Sequence, residues 1–104
     1  MEKIAFKMKL KPGCQEEYRK RHAAIWPALL SVLKESKISD YTIFLDNETD
    51  ILFAVQKKSG YLSSQGIGEK EVMKKWWHYM ADIMETNEDY SPISKPLEMM
   101  FHLD

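Results

Sequence analysis

The residue types best suited to proton transfer form a short cluster near the start of the chain. Tyr18 and His22 are four positions apart, and Trp26 and Pro27 follow them closely. Residues at i and i+4 share one face of a helix, so this spacing puts a phenol beside an imidazole. Histidine titrates near neutral pH, which makes His22 a candidate acid or base. The alternative is a structural histidine in the core, bonded to the carbonyl of Ala23 that Pro27 leaves without an amide partner.

An adjacent pair of tryptophans, Trp76 and Trp77, is the second unusual feature. Neighbouring positions on a helix point in different directions, so we expect one indole in the core and the other on a ligand surface. Indole and phenol rings suit sugars, because their faces contact the apolar side of a pyranose and their N–H or O–H groups meet its hydroxyls. Two packing residues at an interface are the alternative. His78 and His102 are expected at ordinary surface or interface positions.

Signatures of other chemistry are missing from the sequence. There is no zinc-protease helix, nucleophile elbow or Walker loop, and Gly66-Ile67-Gly68 is too short for a dinucleotide site. Cys14 is the only cysteine, which excludes a multi-cysteine metal site. We therefore expect no metal and no cofactor.

The charge and hydropathy patterns restrict the partners of the chain. Fifteen basic and 16 acidic residues are interspersed, so no field of one sign is available to attract nucleic acid or an anionic membrane. The start of the sequence lacks the apolar stretch of a signal peptide, and no apolar run approaches the ~20 residues that span a bilayer. These patterns predict a cytoplasmic protein.

The periodicity of apolar residues predicts an α+β fold. Period-2 alternation indicates strands over residues 4–10, 41–45, 51–55 and 97–103, with a hairpin turn at 46–50. Helical spacing runs over 14–35, with a kink or break at Pro27, and over 69–84. The order β-α-β-β-α-β is the ferredoxin-like arrangement, a four-stranded antiparallel sheet with two helices on one face. At 104 residues the chain accommodates one domain, over 1–104.

The second face of this sheet has no helix to cover it. The strands would present Phe44, Leu52, Ala54 and Met100 there, which is more apolar surface than a solvated face usually shows. Two such sheets facing each other would bury that surface. We therefore expect a homodimer.

Several segments of the sequence match a known family. They are residues 17–22, 25–27, 40–46, 51–54, 76–80 and the tail from 91 to 103. With them the chain resembles the L-rhamnose mutarotase family over essentially its whole length. The chain departs from the usual pattern at Ala23, directly after the histidine, and at Ala28, directly after the tryptophan-proline pair.

The resemblance implies both an architecture and an activity. The expected assembly is a homodimeric α+β barrel of ferredoxin-like subunits that interconverts the α and β anomers of L-rhamnose in the cytoplasm. By resemblance, His22 is the proton donor, and Tyr18, Tyr41, Trp76 and Trp77 match the sugar-binding positions.

Two other functions are compatible with the residues alone. One is a dimeric-barrel oxygenase or haem-degrading protein, in which a helix histidine ligates iron. The other is a non-catalytic sugar-binding module, in which the aromatic residues bind and His22 only packs.

Overall fold

A computed structural model describes residues 1–104 as a helical layer on one four-stranded sheet. The elements are β1 (Glu2–Lys9), α1 (Gln15–Ala23), α2 (Pro27–Glu35), β2 (Ile38–Asp46), β3 (Ile51–Lys58), α3 (Glu71–Met80) and β4 (Lys95–Leu97). The strand order is β2-β3-β1-β4, and every neighbouring pair is antiparallel. This topology confirms the predicted ferredoxin-like arrangement. No helix combines the length and the apolar character that crossing a membrane requires.

The first helical segment is divided at the predicted position. Helix α1 ends at Ala23 and α2 begins at Pro27, so the fold has three helices. Proline is tolerated at the first position of a helix, because the amide that it lacks would have no intrahelical partner there. Trp26, with an extended backbone (ψ 130°), directs the chain into α2.

Strand β3 contributes to the core through the residues that the sequence pattern assigned to the uncovered face. Leu52 and Ala54 are fully buried, so that part of the prediction is wrong. They pair with Met8 and Phe6 of β1, which are buried as well. Directly opposed residues of antiparallel strands point to the same face, so the register with β1 turns Leu52 and Ala54 toward the helices. Phe44 is 62% exposed, as its predicted position on the uncovered face requires.

The end of the chain differs most from the prediction. Strand β4 has three residues, Lys95–Leu97, paired with Ala5 to Lys7, instead of a strand over 97–103. Residues 98–104 have no strand partner, so alternation alone does not make them part of the sheet. Met100 is accordingly 86% exposed outside any strand. Helix α3 is likewise shorter than 69–84, because the chain turns after Met80 and the Ile83 amide bonds the Met80 carbonyl.

Candidate active site

A cavity of about 730 Å³ lies between the helices and the sheet. Five residues singled out in the sequence all line it: Tyr18 and His22 from α1, Tyr41 from β2, and Trp76 and Trp77 from α3. Most of the other lining residues are hydrophobic. A mostly apolar cavity with a few polar groups is the usual form of a small-molecule site.

The imidazole of His22 is held by a backbone carbonyl one turn earlier in α1. Its Nδ1 lies 3.0 Å from the Tyr18 carbonyl oxygen. A carbonyl oxygen can only accept a hydrogen bond, so Nδ1 carries the ring proton in the neutral imidazole. Nε2 has no hydrogen-bond partner in the protein. Every fully buried side-chain nitrogen or oxygen does have a partner, so Nε2 is not fully buried. Nε2 therefore presents an accessible lone pair.

This geometry differs from the structural alternative considered for His22. The histidine bonds the carbonyl of Tyr18, not that of Ala23 beside the proline break. Ala23 and Ala28, where the chain departs from the family pattern, are both exposed. The bond to Tyr18 lies within α1, so the orientation of the imidazole does not depend on these alanines.

Aromatic rings fix the plane of the imidazole. Tyr18 stacks on it with ring centroids 4.2 Å apart, and Trp76 meets it nearly perpendicularly at 5.4 Å. Trp76 is supported in turn by Trp26 at 5.1 Å and by Tyr79 at 5.6 Å. Aromatic pairs prefer such stacked and edge-to-face arrangements. The supporting role of Tyr79 follows from its position three residues after Trp76, a signal that the sequence analysis missed.

Both tryptophans of the pair are buried, at 6% exposure each, so the prediction that only one enters the core is wrong. They pack in different directions, as adjacent helical residues do. Trp76 points toward His22 of α1 and Trp26 just before α2, whereas Trp77 packs on Gly68 in the loop before α3. A Cβ atom at Gly68 would come within 2.6 Å of the Trp77 ring, so the missing side chain makes room for the indole.

Burial changes the protonation of the titratable groups in the cavity. Desolvation lowers the pKa of His22, while the bond to the Tyr18 carbonyl raises it to a smaller extent. Burial raises the pKa of Tyr18, with a further contribution from Tyr41, and burial also raises the pKa of Tyr41. At neutral pH the site therefore holds a neutral imidazole, which can accept a proton, and two protonated phenols, which can donate hydrogen bonds.

Arg21 ties α1 to the end of α3 and was given no role by the sequence analysis. Its guanidinium donates 2.8 Å bonds to the Tyr79 carbonyl, to Asp82 and to Glu17, and a second bond to Asp82 at 3.1 Å. The side chain is only 10% exposed. The clamp holds α1 against α3, the helix whose Trp76 contacts the imidazole of His22. The spacing of Glu17 and Arg21, at i and i+4, is the signal that could have indicated it.

The other two histidines lie away from the cavity. His78 is exposed and its ring lies 4.5 Å from that of Tyr90, while His102 bonds Asp104 in the exposed tail. Nowhere in residues 1–104 do three histidine, cysteine, aspartate or glutamate side chains come together as a metal site would require.

Comparison with known proteins identifies the family. A family model described as L-rhamnose mutarotase matches residues 3–103. An L-rhamnose mutarotase of Bacteroides thetaiotaomicron is 57% identical over 104 residues, with both chains fully covered. One of Mesorhizobium japonicum is 53% identical over 98% of this chain and 97% of its own. The crystal structure of an L-rhamnose mutarotase from Formosa agariphila superposes with a TM-score of 0.93 at 47% identity, covering both chains completely. The chain belongs to the L-rhamnose mutarotase family.

Proposed function

We propose that residues 1–104 form one mutarotase domain that interconverts the α and β anomers of L-rhamnose, with His22 as the residue that moves the proton. The observation that carries this proposal is the state of the imidazole: Nδ1 is occupied by the Tyr18 carbonyl, and Nε2 is free beside an aromatic cavity. Family membership does not favour the oxygenase or the non-catalytic alternative.

The reaction moves one proton between two oxygens of the same sugar. Nε2 of neutral His22 takes the proton of the anomeric hydroxyl, and the C1–O5 bond breaks as the aldehyde forms. The imidazolium then gives the proton to O5, and this is the step in which His22 acts as the proton donor that the family resemblance implies. Since both oxygens are attached to C1, one imidazole can serve both positions. Rotation about the C1–C2 bond and the reverse sequence close the ring on the other face, so protons balance and no oxidant or cofactor is consumed.

The aromatic residues of the cavity are proposed to hold the sugar. Tyr18, Tyr41, Trp76 and Trp77 supply ring surface for the apolar side of a pyranose and polar hydrogens for its hydroxyls. Orientation matters here, because proton transfer requires the anomeric hydroxyl within hydrogen-bond reach of Nε2.

A homodimer formed by the uncovered sheet faces is part of the proposal. Phe44 is 62% exposed on that face, and the tail exposes Met100 (86%) and Phe101 (80%). Exposed large apolar residues on a sheet face that no helix covers favour association with a second copy. Two facing sheets would give the expected α+β barrel. Family membership also leads us to propose a cytoplasmic location.

Saturation-transfer NMR between the two anomeric protons tests the activity. The protein should accelerate exchange between the α and β signals of L-rhamnose, with fucose and galactose as comparison sugars. Binding of L-rhamnose without faster exchange would leave only a sugar-binding module and overturn the proposal.

Sedimentation tests the dimer. A permanent dimer is expected to bury ~1,600 Å² or more at its interface. The wild type should therefore sediment as a dimer at micromolar concentration. Phe44→Glu puts a charge on the uncovered face and should shift the protein toward monomer without changing its fold. A monomeric wild type would refute the dimer.

A further inference from the structure

A chain of three polar side chains connects the sheet to the cavity. Gln56 Nε2 lies 2.9 Å from Ser64 Oγ, and Ser64 Oγ lies 3.2 Å from Tyr41 Oη. Gln56 and Ser64 are 0% and 1% exposed, so neither interacts with bulk water. Gln56 occupies an inward-facing position of β3, two residues after buried Ala54. A buried polar group at a core position calls for a specific reason.

The direction of each hydrogen bond in this chain follows from one backbone amide. The Ser64 N–H must donate, and it lies 2.9 Å from Gln56 Oε1. This contact fixes the orientation of the Gln56 amide, so its Nε2 donates to Ser64 Oγ. Gln65 Nε2 donates to the same oxygen at 3.4 Å. A serine hydroxyl has two acceptor lone pairs and one hydrogen, so with both lone pairs engaged its hydrogen goes to Tyr41 Oη.

The hydroxyl hydrogen of Tyr41 is thereby left for another acceptor. Tyr41 Oη already accepts from Ser64 and has no other partner in the protein. Tyr41 lines the cavity, so an acceptor on a bound sugar is the group in reach. The raised pKa of Tyr41 keeps this hydrogen in place at neutral pH.

A β-bulge brings Tyr41 to this position. Ser39 pairs with Lys57 and Thr42 pairs with Val55, so Asp40 and Tyr41 together oppose the single residue Gln56. Asp40 has a positive φ of 47°, a conformation that aspartate tolerates better than most residues. Bulges change the direction of a side chain and are frequent beside active sites.

We propose that Gln56 and Ser64 are positioning residues that make the Tyr41 hydroxyl a hydrogen-bond donor to an oxygen of the bound sugar. This inference rests on the proposed function, since it assigns the polarity of one contact in the same site. It predicts that the site accepts a sugar with an oxygen acceptor at this position and discriminates against an analogue that lacks it.

A double-mutant cycle of Ser64→Ala and Tyr41→Phe tests the proposal. Each single variant should lower kcat/KM for anomer exchange, and raise the Kd for L-rhamnose, by about 3- to 10-fold, the effect of one hydrogen bond. In the Tyr41→Phe background, Ser64→Ala should have no further effect, because no hydroxyl remains to be oriented. Equal effects of Ser64→Ala in both backgrounds would show a purely structural role and overturn the proposal.

Two further variants separate orientation from loop stability. Ser63→Ala removes the neighbouring hydroxyl, whose oxygen accepts a hydrogen bond from the Gln65 backbone N–H. This hydroxyl has no hydrogen bond to Tyr41, so the rate of anomer exchange should be unchanged. Gln56→Met removes the amide that donates to Ser64 Oγ. The decrease in exchange rate that it causes should also be absent in the Tyr41→Phe background. All rates are measured per folded molecule.

The two readouts distinguish this inference from the proposed function. If Ser64→Ala and Tyr41→Phe are non-additive in the Kd for L-rhamnose but the wild type does not accelerate anomer exchange, the mutarotase activity alone is refuted. If the wild type accelerates anomer exchange and the two substitutions act additively, the positioning role alone is refuted. A wild type that neither binds nor exchanges L-rhamnose would refute both.

Discussion

His22→Asn isolates the nitrogen on which the proposed mechanism depends. Asparagine Nδ2 lies one atom beyond Cγ, as histidine Nδ1 does, so it can still donate to the Tyr18 carbonyl. The variant has no counterpart of Nε2 and no group that exchanges a proton near neutral pH. The anchor to α1 is thus kept while the reacting atom is removed.

The expected losses differ sharply between activity and stability. Removing a general acid or base lowers the rate by about 10²–10⁴. Two ring contacts are lost, with Tyr18 and with Trp76, each worth about 0.5–1.5 kcal/mol, so unfolding should become easier by about 1–3 kcal/mol. Affinity for the sugar should change little, because the four aromatic residues assigned to binding are retained.

Exchange rate and melting temperature are measured on the same sample. His78→Asn, a change at an exposed histidine of α3 outside the cavity, is the matched control. It removes one exposed ring contact, with Tyr90, so the melting temperature should fall less than in His22→Asn and the exchange rate per folded molecule should be unchanged. If His22 only packs, the variant loses stability while each folded molecule stays fully active. That outcome would remove His22 from the mechanism.

Four further predictions concern the titration of His22 and the contacts around the site. Because burial holds the pKa of His22 below its usual ~6.5, the rate of anomer exchange should be constant above pH 7 and decline only at lower pH. An inflection of the rate above pH 7 would contradict the neutral imidazole as the base. The contribution of His22 to stability should likewise be complete above pH ~6.5 and be lost as the pH falls through the folded-state pKa, since the unfolded chain binds the proton first. Gly68→Ala should displace Trp77 and cost about 1–3 kcal/mol by overpacking; an unchanged melting temperature and sugar affinity would argue against this close contact. Arg21→Met should lower the unfolding free energy by about 2 kcal/mol, because Arg21 is nearly buried. Arg19→Met, at an exposed ion pair, should change the unfolding free energy by no more than about 0.5 kcal/mol. Equal effects of the two substitutions would exclude the clamp.

The sequence predicted the order of elements because apolar alternation marks β1 and β2 and Pro27 marks the helix break. It could not orient β3, in which consecutive apolar residues (51–55) make either face plausible. Only the pairing with Phe6 and Met8 decides which face is inside. The polar Gln56 extends the buried side of this strand, so a hydropathy pattern is misleading at that position. Which face of β3 is buried depends on its register with a strand far away in the sequence, so a short segment of sequence does not reveal it.

In the candidate site, too, contacts within one helix were predictable from the sequence, whereas contacts between distant segments were not. The i, i+4 spacing correctly put Tyr18 beside His22, since that contact is local to one helix. The contacts of Tyr41 depend on a bulge in β2 and on a loop 23 residues further along the chain, at Ser64. Such a contact arises only when the sheet is assembled, so sequence spacing cannot reveal it.

Two opposing influences on the pKa of His22 suit its proposed role, in which the imidazole both takes and returns a proton. Burial favours the neutral ring and makes Nε2 available as a base at neutral pH, while the Tyr18 carbonyl favours the protonated ring through Nδ1–H. Burial alone would make the imidazolium hard to form, and a more strongly stabilised imidazolium would hold its proton too tightly to give it to O5. General acid–base catalysis is most effective when the pKa lies near the working pH. A single imidazole with one nitrogen anchored and the other free can therefore serve ring opening and ring closure alike.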